Sequence, residues 1–373
     1  MLHSDWTKYR GQVTLTQTES QATHTSVPGA DARRTASSPK AQRISALDFT
    51  KGALVLIMVL YHWINYFIGL QWEYYRYLRF LTPSFIFVTG FMISNVYLSK
   101  YEATDPRLSK RLFTRGLKLL AIFLVLNLSR TFIVPAMGTG AVFGNLPAAR
   151  DIFTVFVSGN VQAMGGKLIS FSILVPISYL LMLSGALMLP YRFYRYTFHV
   201  VCVFLLLSLV VLGFIGVQSP NLELITIGMV GVLTGFMPIG AINDFVRHPY
   251  MLGLAYLCYT IAITIWNVPF SLQMVGVPLS LMVIYLVGIS GSDSSKIRSE
   301  VILLGKYSLF GYISQIAILQ VLAASLRHIN FGFAILSASF VAAFALTIIS
   351  VEVIDRLRTR VVSMDRLYKA VFA

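Results

Sequence analysis

Beyond residue 46 the chain is a succession of apolar runs separated by short polar breaks. Each run is about 18–24 residues long, the length a helix needs to cross a hydrocarbon core. The pattern predicts about ten membrane-crossing helices, at roughly 47–70, 80–98, 117–135, 168–190, 197–217, 222–242, 249–267, 271–291, 301–326 and 331–354. Residues 1–45 break the pattern. The stretch "TQTESQATHTSVPGADARRTASSPKAQR" is polar, rich in Ser, Thr and Ala, and has no apolar core of a cleaved signal peptide, so it reads as a disordered polar arm. The predicted fold class is all-α: a polytopic membrane helix bundle over 46–355, preceded by the arm and followed by a basic tail, 356–373.

Composition strengthens this reading. Hydrophobic residues make up 56% of the chain and charged residues 12%, with a mean hydropathy of +0.72, whereas a soluble domain is closer to a quarter charged. The net charge of +15 raises the question of nucleic acid, but no basic stretch is interleaved with stacking aromatics, so no nucleic-acid partner is expected. Topology accounts for the charge better. With the N-terminus inside, most of the 30 Lys and Arg fall in the segments predicted to be cytoplasmic, including Lys100, Arg107, Lys110, Arg111, Arg115, Arg192 and Arg195. That bias predicts both termini in the cytoplasm. Cys202 and Cys258 sit in apolar runs without partner spacing, so neither a disulfide nor a metal is expected. The sequon at Asn127–Ser129 falls inside a predicted span and carries no information about secretion.

No phosphate-binding glycine loop, nucleophile elbow or metal-ligand cluster occurs. The long stretch 136–166, rich in Gly and Ala, is either a lid or re-entrant element over a pocket or a loop that packs on the bundle. Any chemistry therefore has to come from ionisable groups within the spans, where lipid makes them costly unless they face a cavity or a partner. These are Lys51 and His62 in the first span, Arg130 in the third and Lys306 in the ninth, with Glu223 at the start of the sixth.

Lys51 and His62 are eleven residues apart. At 100° per residue that is about 20° from three full turns, so both lie on one stripe, roughly 16 Å apart along the axis. Asp48 is one turn before Lys51 at a spacing that suits an ion pair. The helix thus predicts a polar seam running from the cytoplasmic mouth to mid-membrane. Taken singly, Lys51 also fits a snorkelling lysine, and His62 a buried structural histidine beside Trp63 and Tyr66.

"LDFTKGALVLIMVLYHW" resembles the first span of the membrane acyltransferase superfamily, which includes the acyltransferase-3 family and its heparan-α-glucosaminide N-acetyltransferase-like and glucan succinyltransferase-like relatives. Asp48, Gly52 and His62 match its pattern, and Lys51 stands where Arg is usual. "RFLTPSFIFVTGFMIS" resembles the family's Phe-rich second helix, with Thr89-Gly90-Phe91 in place of Ser-Gly-Phe. In "KRLFTRGLK", Arg115 and Lys118 hold the spacing of its basic pair, and Ala121 replaces a frequent proline. "LLGKYSLFGYISQIAIL" resembles a late stretch in which Gly305, Ser308 and Tyr312 are in place but Gln315 replaces His. Lysine at 51 keeps the charge and loses bidentate geometry, and Gln315 has no acid–base function.

The resemblance implies an enzyme that takes an acyl group, acetyl or succinyl, from cytoplasmic acyl-coenzyme A and passes it to a hydroxyl of an envelope or exported glycan. It also implies a bacterial cytoplasmic (inner) membrane. Lys51, Arg111, Arg115 and Lys118 would receive the donor's negative charges. Catalysis would rest on His62 as general base, with Lys51 and Asp48 on the same stripe at the cytoplasmic mouth. Asn65, Tyr312, Gln315 and Ser314 are candidates for holding the developing oxyanion, and Arg130 and Glu223 for binding the acceptor. The donor is a substrate, and no permanently bound cofactor is expected. A flippase or transporter of a lipid-linked glycan or other anion, or a catalytically silent relative, stands as the alternative.

Overall fold

The computed structural model describes residues 44–69, 72–98, 105–136, 154–159, 171–266, 269–291, 295–326 and 332–372, with backbone alone at 72, 73 and 130–136. All of these fall in one compact unit, 43–373. The predicted N-terminal arm and most of the 136–166 loop lie outside the described residues.

No strand occurs among the described residues. The helices are α1 (Ser45–Phe67), α2 (Trp72–Leu78), α3 (Leu81–Met92, continued by a π-helical stretch, Ile93–Leu98), α4 (Pro106–Ala136), α5 (Leu174–Tyr191), α6 (Thr197–Phe214), α7 (Pro220–Thr234), α8 (Ile239–Val246), α9 (Pro249–Ile265), α10 (Phe270–Ser290), α11 (Lys296–Lys306), α12 (Ser308–Leu326), α13 (Phe333–Arg360) and α14 (Val362–Phe372). Pro220 and Pro249 start α7 and α9 at positions where the missing N–H is no loss. The Ser295 hydroxyl caps α11 by accepting the Arg298 N–H.

Among the described residues eight helices are long and apolar enough to span a membrane, or nine if α7 and α8, bent by 99°, form one span. Large apolar side chains such as Phe204, Val210, Leu254, Ile261 and Ile349 are exposed around the bundle, as expected where lipid is the solvent. The protein is a multi-pass membrane protein of helical-bundle fold. A helix occupies each of the ten predicted stretches, yet three differ from a simple span: the sixth is the bent α7–α8 pair, the seventh is short and the ninth is broken. α9 has only 17 residues. The ninth stretch breaks at Tyr307 into amphipathic α11 and apolar α12, which leaves Lys306 exposed at the break and not inside a span. Residues 356–360 are the last turn of α13 and Val362–Phe372 form α14, with Val361 extended between them.

α1 is central, packed against α3, α10, α11, α12 and α13. The most extensive pairs are α4–α5, α1–α11 and α3–α7, and each is seamed by small residues. In lipid, helix pairs gain from close backbone approach, because burial of apolar side chains offers little beyond what the tails already provide. A methyl on Gly52 would overlap the Val301 carbonyl, and one on Gly305 the Asp48 carbonyl. α1 and α11 therefore meet backbone to backbone, and only glycine fits on either side. Gly90 and Gly231 seat α3 on α7 in the same manner, as Gly116 and Gly185 seat α4 on α5.

The described part of the long loop, 154–159, is bound to the bundle. Asn221 at the start of α7 donates from Nδ2 to the Val155 and Phe156 carbonyls at 2.8 and 3.1 Å, and the Tyr179 hydroxyl donates to Phe156 at 3.0 Å. Trp63 joins α1 to α13 by donating from Nε1 to the Ser339 hydroxyl at 3.0 Å.

Candidate functional site

A cavity of about 220 Å³ opens among α1, α3, α4, α5, α12 and α14. Its polar wall comprises Lys51, Thr89, Arg115, Lys118, Ser308 and Tyr312, and its apolar wall includes Phe85, Leu119, Leu174 and Leu309. Three cations from two helices thus face an otherwise greasy hollow, an arrangement suited to an amphiphilic anion.

The placement of each cation follows from its helix. Lys51 is one turn from Asp48, whose carboxylate it meets at 2.6 Å. Asp48 is buried at 4% exposure because α11 covers it through Gly305. Lys51 is thereby held in one direction, with its stem on the cavity wall. Arg115 and Lys118 are three residues apart on α4 and share its cavity face, the Arg115 guanidinium lying over the Tyr97 ring at 5.6 Å. Arg111, one turn before Arg115 on the same helix, is exposed and does not line the cavity.

The deep wall is aromatic. Tyr312 is 8% exposed and its ring has three neighbours: Phe171 edge-on at 6.0 Å, Phe85 at 6.3 Å and His62 at 6.4 Å. Phe171 adopts φ of 63°, a conformation that a bulky side chain adopts only when its surroundings enforce it. In that conformation its ring stands edge-on to Tyr312. His62 is also edge-on to Tyr61 at 5.1 Å, and its Nε2 is buried without a hydrogen-bond partner among the described residues. The imidazole does not form part of the cavity wall. It lies behind Tyr312, which touches both.

The remaining sequence candidates scatter. Asn65 sits with Tyr75 at the Tyr61 hydroxyl, one turn past His62. Gln315 is one turn beyond Tyr312, fully buried, with both amide atoms unpartnered among the described residues. It does not line the cavity. Ser314 shares a hydrogen bond of 3.2 Å with Ser350. Glu223, in the first turn of α7, is half-buried within electrostatic reach of Arg79. The Arg130 side chain lies outside the described residues, and so does any acceptor role for it. No group of three or more His, Cys, Asp or Glu side chains that could hold a metal occurs among the described residues.

Sequence reasoning missed Tyr97, Val371 and Phe372 as cavity residues, and Arg298. The Arg298 guanidinium is buried and donates to the Gly288 carbonyl at 3.0 Å, closing the C-terminal end of α10. The signal for Phe372 was present: Tyr368 and Phe372 repeat at i, i+4 in a segment otherwise read only for its basic charge. Compared with protein-family models, curated proteins and solved structures, the chain matches none of them, so the reading of this site rests on its own geometry.

Proposed function

We propose that the protein is an integral membrane O-acyltransferase that moves an acyl group from an acyl-coenzyme A donor to a hydroxyl of a glycan acceptor. The observation that carries the reading is the cavity itself: Lys51, Arg115 and Lys118 line it, and its deep wall, Tyr312, is in ring contact with His62. Donor phosphates would pair with the three cations. The thioester would lie along the apolar wall toward Tyr312.

In this mechanism His62 accepts the proton of the acceptor hydroxyl as its oxygen attacks the thioester carbonyl. A tetrahedral intermediate forms, the C–S bond breaks, and the departing thiolate takes the proton back from the imidazolium. Because Tyr312 stands between imidazole and cavity, its ring has to turn aside, or its hydroxyl has to hand the proton on. Either way Tyr312 is the residue through which His62 reaches substrate. Asp48 holds Lys51 in place by the ion pair. Under this reading the end of the bundle bearing Lys51 faces the cytoplasm, both termini are on that side, and the membrane is a bacterial inner membrane.

The test is label transfer from radiolabelled acyl-coenzyme A in membranes containing the protein or His62→Ala. Unchanged transfer in the variant removes the base assignment. Movement of a glycolipid or anion across proteoliposomes without any acyl transfer favours the transporter reading.

A further inference from the structure

The cavity has a wall that belongs to neither of its basic helices. Val371 and Phe372, at the end of α14, line it beside Lys51, Arg115, Lys118 and Ser308. α14 has no buried residue. Its inward stripe of Met364, Asp365, Tyr368 and Phe372 is half-buried, while Val362, Arg366, Leu367 and Lys369 are exposed. It follows α13 after a single extended residue, Val361, with φ of −122° and ψ of 109°.

One side chain of α13 governs the attachment. Arg358 donates from Nε and Nη2 to Asp365 Oδ1 at 3.0 and 2.6 Å, and from Nη1 to the Tyr307 hydroxyl at 3.1 Å. Its guanidinium lies 4.0 Å from the centre of the Tyr368 ring. The Tyr307 hydroxyl in turn donates to Asp355 at 2.6 Å. Farther along, Lys369 holds the second oxygen of Asp365, and Phe372 meets Phe310 edge-on at 6.0 Å and stacks on Tyr368 at 4.9 Å. These contacts are part-exposed ionic and ring contacts, each contributing little alone and screened by water. No glycine seam welds α14 to the bundle.

The volume argues in the same direction. About 220 Å³ falls below the roughly 300–1,000 Å³ of sites that enclose a ligand the size of a cofactor. We propose that α14 is a hinged lid, latched by Arg358 to Asp365 and Tyr368, that turns about Val361 to widen the cavity for a large anionic ligand and closes Val371 and Phe372 against the part that is bound. It makes the cavity a gated site whatever reaction the site performs.

The experiment reads access and not chemistry, so its failure is separate from failure of the acyl-transfer reading. Ser308→Cys is introduced with Cys258→Ala, and the buried Cys202 is kept as an internal reporter of folding. The full chain in lipid nanodiscs is treated with a bulky maleimide, and labelling is followed site by site by mass spectrometry. The expected result is slow labelling at position 308, about fivefold faster after Asp365→Asn or Phe372→Ala, with Cys202 protected throughout. Rates at 308 within twofold of each other overturn the lid. So does labelling of Cys202 that rises in step with 308, since α14 would then be part of the global fold and not a separable element.

Discussion

The α1–α11 crossing and the α13–α14 junction are two ways of attaching a helix. At the first, Gly52 and Gly305 allow backbone to touch backbone, and nothing with a side chain fits between. At the second, α14 is held by one arginine, two carboxylate oxygens and a short stack of rings. A seam of small residues has no partly open arrangement, because separation by even the width of a methyl forfeits the contacts along its whole length. An ionic and aromatic latch can open with water replacing the lost partners. The cavity sits between these two attachments: Lys51 is on the welded helix, Phe372 on the latched one.

The comparison can be broken at the weld first. Gly52→Val forces a branched side chain against the Val301 carbonyl, and the destabilisation should be on the order of 3 kcal/mol or more. Thermal unfolding in detergent reads it, and a variant as stable as the parent would mean the crossing is not tight. His62→Ala removes ring contacts with Tyr61 and Tyr312 and so destabilises somewhat, but it should lower acyl transfer by about 100-fold or more in membranes where the variant is still folded. Arg115→Gln should raise the donor's KM by about tenfold while kcat changes little, the mark of a group that binds without reacting. Trp63→Phe removes the bond to Ser339 and should destabilise by about 1 kcal/mol.

The smallest effect concerns the latch. Lys369 and Arg358 hold the Asp365 carboxyl below the usual carboxylate range. The groups facing it are these two cations with Tyr368, and Tyr307 and Asp355 stand behind Arg358. A depressed carboxylate contributes to closure above its unfolded pKa of about 4 and loses that contribution as pH falls through its lowered value. The labelling rate at position 308, divided by that of a free thiol at the same pH because only the thiolate reacts, should therefore be flat between neutrality and about pH 5 and rise only below about pH 4. Asp365→Asn should abolish that acceleration.

Much of the bundle was legible along the chain because span length and apolarity are local properties. The break at Tyr307 was not: a run from 301 to 326 looks continuous until α11 is pulled flat against α1 by Gly305. The Asp48–Lys51 pairing followed from i, i+3 geometry alone. Arg111 and Arg115 are indistinguishable by composition and one turn apart, yet only Arg115 lines the cavity. The two share a face of α4, so what separates them is position along the axis: the cavity begins one turn past Arg111, and where α4 lies along its neighbours decides that.

By itself the amino-acid order determined that this is a many-helix membrane protein, and that one stripe of its leading helix carries Asp48, Lys51 and His62. Those conclusions need only the pitch of a helix and the thickness of a bilayer. Tertiary structure alone decided that Tyr312 stands between His62 and the cavity, that Arg111 is left out of the cationic wall, and that Phe372, more than three hundred residues from Lys51 in sequence, lines the same cavity. Such convergence depends on the distances and rotations at which helices cross, and these are set by pairs of small residues far apart in the chain that show no periodicity along it.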